Sequence, residues 1–468
     1  MSQLYAMIGS LEFGQDIMRH FLKRFIITCA VVLAFGSESW AQGYIPILRD
    51  AEGEAMLDTL LHPLAQAAGL EPDAVHPRLV DHASVNAFVS YGQDVYVHSG
   101  VILALDDVAQ VQGILAHEIG HVAGGHAVRR DFAKKRSRNI LAGHMLLGAG
   151  ILAADLADNE VDALGGAITA VGAGFQMQAN YMAAYDRKQE YAADQAAVTY
   201  LLRAKLPLDG LVKVFERTLT PENDRSAYAL QLYARSHPDM SDRIRALKGR
   251  ISTEVQDEAE NSVAETRFAL FKAKMLGQVY GVEAVRGRYS EAAGSMNARY
   301  ALANAHYADG QFEDALRLMD ELVKDENASA YFHELRGNIL IRLGRANEAI
   351  GPLEKANALA PNTPLLMIQE SAARLNAASD PDAARSALAR LEAATVLDRE
   401  IVAGWHLLGL AHHRLGNEGG MRLALAHKHM LLGDTAAARH YAHLAHTSLP
   451  FGSPSWLDAE HLLSVVGN

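Results

Sequence analysis

The sequence predicts an α+β chain in two parts, a mainly helical domain with a small sheet and then an all-α superhelix. Three observations predict it. A Val-, Tyr- and Phe-rich stretch, VHPRLVDHASVNAFVSYGQDVYVHSGVI (75–102), is enclosed by segments of helical apolar spacing. From about residue 258 the strand signals stop. In that second part glycine, alanine and proline recur in phase.

The chain has 468 residues, half of them hydrophobic, which favours two or more domains with real cores. The net charge of −12 argues against a nucleic-acid-binding surface. At the N-terminus Arg19, His20, Lys23 and Arg24 precede an apolar run from Phe25 to Phe35, followed by GSESWAQG. That order is a basic region, an apolar region and an A-x-A-like cleavage site near Ala41, so residues 1–41 read as an export signal. The run is too short to span a bilayer. Met18, just before the basic cluster, is the expected true start. The sole cysteine, Cys29, lies in the signal, so the mature chain has no disulfide or thiolate site.

Residues 42–250 read as one domain. EGEAMLDTLLHPLAQAAGL is a helix stopping at Gly69. The 75–102 stretch reads as two or three strands with a turn at Tyr91-Gly92-Gln93. DDVAQVQGILAHEIGHVAGGH is a helix with Asp106 or Asp107 as N-cap, loosened at Gly124-Gly125. NILAGHMLLGAGILAADLA and ALGGAITAVGAGF form a Gly/Ala-rich pair, each too short for a transmembrane helix. A buried or mutually packed hairpin is the expected arrangement, against a flap or membrane-contacting hairpin. AAYDRKQEYAADQAAVTYLLRA then returns to an amphipathic helix.

Residues 251–296 read as a helical linker or first repeat-like helices, and 297–468 as tetratricopeptide (TPR) repeats. Gly310 and Gly344 are 34 residues apart, the TPR period. Ala315, Ala349 and Ala438 each follow Gly310, Gly344 and Gly433 by five residues, and Pro361 and Pro450 follow their alanines by twelve. WHLLGLAH at Trp405 fits the repeat's opening pattern with His412 in place of Tyr. The repeat at 365–398 is degenerate, with Ala378 in the glycine position. Four or five helix pairs are expected, stacked around a concave peptide-binding face.

The chemistry centres on H-E-x-x-H. His117 and His121 are one helical turn apart, so both imidazoles face one way and can reach one tetrahedral Zn²⁺. Glu118 sits one residue round, placed to touch water on the metal without ligating. Zinc lowers the pKa of such water to about 7. A third protein ligand is needed. His126 falls one residue early for the metzincin H-E-x-x-H-x-x-G-x-x-H spacing, which reaches Ala127. Glu190 in RKQEYAAD is the better option, completing a His₂Glu set, with Asp194 one turn on to accept the free N–H of a ligand histidine. SHPDMSDRI supplies His237 and Arg243, where a simple turn is the alternative. The histidines at 427, 429, 440, 443 and 446 read as a polar face rather than a second metal site, since carboxylates are few there.

RDAEGE, VNAFVSYGQDVYVHSGVI, LAHEIGHVAGGH, RKQEYAADQAA and SHPDMSDRI, in that order, resemble the minigluzincin metallopeptidases of family 48. The motifs cover residues 47 to 245. The resemblance implies one Zn²⁺ per chain held by His117, His121 and Glu190, with Glu118 as general base. It implies that Asp194 supports a ligand, that His237 caps the zinc in a latent state, and that Arg243 supports the site. It implies that residues from Val95 through Tyr96 and Val97 to His98 form the edge to which an extended substrate adds as a strand, with Asn86 nearby. The signal and repeats resemble periplasmic members of Gram-negative bacteria. The implied function is zinc endopeptidase cleavage of misfolded or stalled outer-membrane proteins, with chaperone-like action. The repeats would bind substrate or the β-barrel assembly machinery, with peripheral membrane contact and no nucleic acid. The alternative is a non-proteolytic TPR scaffold with a latent zinc site.

Overall fold

The computed structural model describes residues 45–90, 93–158, 163–219, 233–234, 237, 239–254, 262–325, 328–377 and 381–466. The export signal, Met18, Cys29, Tyr91-Gly92 and Ala378 lie outside the described residues. Helix α1 (Ala51–Ala67) starts where the Asp50 side chain accepts the Gly53 backbone N–H, satisfying one of the first-turn donors that have no intrahelical partner. Three strands follow: β1 (His76–Val80), β2 (Ala87–Val89) and β3 (Asp94–His98). Helix α2 (Ser99–Ala104) leads to α3 (Val108–Ala123), which begins at Asp107, whose carboxylate accepts from the Gln110 N–H.

The sheet order is β1-β3-β2. Here the structure corrects the sequence reading. Val95, Tyr96 and Val97 are not an edge, because β1 pairs with β3 in parallel on one side and β2 pairs antiparallel on the other. Every backbone group that an added strand would use is taken. Val95 and Val97 are fully buried. The outer side of β1 is itself met by Ile47 and Leu48. Among the described residues the open edge is the outer side of β2, which packs against α3.

Helices α4 (His126–Asp158) and α5 (Ala163–Arg203) form a long hairpin, with helix α5 continuous from the Gly/Ala segment through RKQEYAAD. The hairpin is mutually packed as expected but not buried; large apolar side chains on both helices face solvent. Helices α6 (Gly210–Leu219) and α7 (Met240–Ile251) close the N-terminal core against α1, α3 and the sheet.

Helix α8 (Ser262–Arg288), kinked at Gly281 (φ 75°, ψ 178°), fills the stretch expected as a linker. Phe268, Phe271 and Met275 belong to the N-terminal core, while Leu270, Ala273 and Val285 belong to the next. Gly53 on α1 leaves room for Phe271; a Cβ there would come within 2.6 Å of its ring. Five helix pairs follow: α9 (Met296–Ala308) with α10 (Phe312–Leu322), α11 (Ala330–Arg342) with α12 (Ala346–Leu359), α13 (Pro364–Ala377) with α14 (Pro381–Leu397), α15 (Val402–Arg414) with α16 (Glu418–Leu431), and α17 (Thr435–Ser448) with α18 (Pro454–Val466). Gly310, Gly344 and Gly433 all adopt left-handed φ of 72° to 74° between helices, the conformation that favours glycine. Gly416, which the phasing skips, makes the turn after the Trp405 helix with φ 71°. This is an all-α TPR-type superhelix.

The two parts meet at a buried polar seam within one compact unit, residues 47–468. Lys274 of α8 reaches Asp50 at 2.7 Å and Glu52 at 3.5 Å. Tyr300 of α9 donates to Glu52 at 2.7 Å. Arg49 bridges Glu54 and Asp398, and Ala51 packs on Ala356 and Leu366. Burial pushes the Glu52 carboxyl up to about 7. Burial alone would lower Lys274, but Asp50, Glu334 and Glu52 outweigh it and hold its ammonium charged. The C-terminal histidines do not converge. His427 stacks on Trp405 and pairs with Asp458, His429 stacks on Tyr441, and His446 lies on Trp456.

Candidate metal centre

The site is built where α3 crosses α5. The crossing is close because Gly120 has no side chain: a Cβ would lie 2.8 Å from the Ala193 carbonyl oxygen and 2.9 Å from its Cα. This brings His117 and His121 of α3 onto Glu190 and Asp194 of α5. Gly120→Val is therefore expected to pry the two helices apart. Overpacking of this kind costs about 1–3 kcal/mol, and metal content measured with the thermal melt should fall together.

Two imidazole nitrogens and the two oxygens of Glu190 form a small donor group. His117 Nε2 and His121 Nε2 are 3.0 Å apart, and each is 3.4 Å from a Glu190 oxygen. Tetrahedral ligands at zinc bond lengths of ~2.0–2.1 Å would be separated by roughly 3.3 Å. The separations of 3.0 and 3.4 Å lie close to that spacing, so the donor set fits a tetrahedral cation. His237 joins the same group, and ligand atoms of all four residues lie within 4.8 Å of one another. Its Nδ1 donates to Glu190 Oε2 at 2.8 Å, and its Nε2 is 3.9 Å from Glu118 Oε1.

The surrounding contacts fix tautomers and charge. His117 Nδ1 donates to Asp194 Oδ1 at 2.9 Å, which turns Nε2 toward the cluster. Arg243 grips both Asp194 oxygens at 2.7 Å and lies 2.9 Å from Glu190. Its guanidinium also stacks over Phe215, 4.4 Å from the ring centroid. His121 and His126 share a hydrogen bond at 2.8 Å between their Nδ1 atoms. His126 thus meets a cluster histidine from behind.

Burial alone would lower the His117 imidazole, yet Asp194 and Glu190 outweigh it and raise it to about 9. The cluster draws positive charge strongly. Glu190 is held far below the usual carboxylate range; burial opposes this, but hydrogen bonds from His117, His121 and His237 prevail. Glu118 behaves oppositely. It is almost fully buried, its Oε1 has no hydrogen-bond partner, and burial pushes the carboxyl up to about 8.

Residues 51–251 match the model of Peptidase family M48. Across the whole chain the similarity extends further. It is 24% identical over 88% of its length to the Beta-barrel assembly-enhancing protease of Escherichia coli K12, covering 82% of that protein. Metalloprotease YcaL of the same organism is 27% identical over 41% of this chain and 69% of its own. Among solved structures, YrrB, a TPR protein with an unusual peptide-binding site, overlaps 37% of this chain and 89% of its own at 16% identity and a TM-score of 0.31. That overlap is too loose to argue from, and the repeats stand on their helix pairs and left-handed glycines.

Within the matched stretch the structure brings together His117, Glu118, His121, Glu190, Asp194, His237 and Arg243. Asn86 lies beside β2, its carbonyl accepting the His98 N–H. Sequence reasoning misses Tyr233, whose ring lies 4.5 Å from that of His237, and Phe215 beneath Arg243. It leaves His126 without a partner. No local spacing signals these contacts, because each crosses between elements.

Proposed function

We propose that the chain is a zinc endopeptidase with a His117–His121–Glu190 ligand set and Glu118 as general base, one ion per chain. The observation that carries this is the approach of His117 Nε2 and His121 Nε2, 3.0 Å apart and each 3.4 Å from a Glu190 oxygen, beside a buried carboxylate oxygen with no hydrogen-bond partner. Zinc bound there supplies a Lewis acid that polarises a peptide carbonyl and activates water. Glu118 Oε1 takes the proton of the attacking water and passes it to the leaving amine. Asp194 holds the His117 tautomer, and Arg243 holds Asp194. The outer side of β2 (Ala87–Val89), next to Asn86, receives the substrate as an added strand.

The likeness to the E. coli protease supports the finer reading. The chain is exported to the periplasm and cleaves misfolded or stalled outer-membrane proteins, and its repeats engage the β-barrel assembly machinery. No helix among the described residues is long and apolar enough to cross a membrane. The position of His237 within the ligand group supports a latent resting state in which His237 holds the place substrate must take.

One experiment tests the set. Metal content and cleavage of an unfolded outer-membrane barrel are measured for wild type, Glu190→Ala and His237→Ala. One zinc per chain is expected in wild type and His237→Ala, and almost none in Glu190→Ala. Cleavage should rise severalfold in His237→Ala and vanish in Glu190→Ala or after chelation. Full zinc in Glu190→Ala would remove Glu190 from the ligand set; loss of activity in His237→Ala would make His237 a catalytic group rather than a cap.

A further inference from the structure

The α4/α5 hairpin is built inside out. Where the helices meet, glycines let them approach closely. A Cβ on Gly148 would run into Val171 and the Ala167 carbonyl, and one on Gly174 into His144. The large apolar residues point away. Leu146 is 74% exposed, Leu147 57%, Ile168 61% and Phe175 49%. A hairpin made for water puts leucines between its helices and small or polar residues outside. Glycines at the contact and large apolar residues outside is the arrangement of helices that pack in lipid, where the surroundings are as apolar as the side chains.

A second feature says what lies against it. Between Arg129 and Arg138 the chain places Arg129, Arg130, Lys134, Lys135, Arg136 and Arg138 against the single acid Asp131, in a protein of net charge −12. On α4, Val128, Phe132, Leu146 and Leu147 fall within an arc of about 100° at 3.6 residues per turn, and the exposed Lys135 and Arg136 fall close to it. Apolar groups interspersed with long cations match the headgroup boundary of an anionic bilayer, where the stems lie in the apolar layer and the charges reach the phosphates. A passing substrate strand or a second acidic copy would meet the cations but would not provide the lasting apolar surroundings that this packing requires.

We propose that the hairpin is a membrane-docking element that lies in the interface of a bilayer bearing anionic phospholipid, without spanning it. The same helix α5 carries Glu190, so Phe175 at the bilayer sets the donor cluster roughly 20 Å further along the helix. The cleft would then work at a fixed height above the membrane.

The test uses the full chain with Cys29→Ser and Leu147→Cys, labelled at 147 with an environment-sensitive fluorophore, beside a control labelled at Phe451→Cys on the repeats. Vesicles of phosphatidylcholine are compared with and without phosphatidylglycerol. Both labelled positions are exposed, and an unchanged metal content and melting profile confirm the fold. A blue shift with severalfold brightening at 147, absent at 451, is expected with phosphatidylglycerol. Lys135→Glu/Arg136→Glu should weaken the response by about tenfold or more. The proposal fails if the 147 label does not respond to vesicles. It fails equally if the label responds alike to both lipid mixtures whatever the charge at 135 and 136. A response to unfolded polypeptide without one to vesicles would make the face a substrate contact. A response to protein concentration alone would make it a self-association surface.

Discussion

Glu118→Gln is expected to lower the turnover of peptide cleavage by about 10²–10⁴-fold, the range that a positioned general acid–base contributes. Metal content should not change. The substitution keeps the shape of a side chain that is almost fully buried, and Glu118 is not in the donor group. A neutral amide also suits that position, since burial already pushes the carboxyl up to about 8. The variant should therefore fold at least as well as wild type. Zinc per chain, thermal unfolding and cleavage rate, measured on one preparation, separate the effects. Cleavage indifferent to Glu118 would mean that the peptidase reading is wrong and that the repeats carry the function.

The largest effect on stability is expected at the seam. Lys274→Met removes the cation that faces Asp50 and Glu52, and leaves buried carboxylates uncompensated. Breaking a buried pair by deleting one partner costs about 3–5 kcal/mol. A second substitution, Glu52→Gln in the Lys274→Met background, should recover part of that loss, because the remaining group no longer needs a counter-charge. Thermal or denaturant unfolding of the full chain reads both. Equal stability of Lys274→Met and wild type would show that water reaches the seam and screens its charges.

What was legible in the sequence followed from local spacing. His117 and His121 lie four apart on a helix, and so do Glu190 and Asp194, so each pair faces one way before any tertiary contact is known. The repeats were legible because their glycines recur where the chain turns left-handed. The illegible features depend on which element meets which. β3 becomes the centre of the sheet only because β1 arrives in parallel register, and nothing in DVYVH announces a second neighbour. His126 looked like a misplaced ligand, and its role behind His121 appears only once α4 turns away after Gly125, at φ 61°. The hairpin's Gly/Ala content predicted close packing correctly but gave no hint of what faced outward.

Helix α8 gives its two flanks to two different cores, with Phe271 on one side and Ala273 on the other. Modules joined by a tether can be swapped, shed or inherited separately. These two cannot, because severing the chain on either side of α8 would strip one of them of a wall. Any pull on the repeats therefore arrives, through the stretch of α8 that precedes its kink at Gly281, at the helix whose first turn holds Gly53.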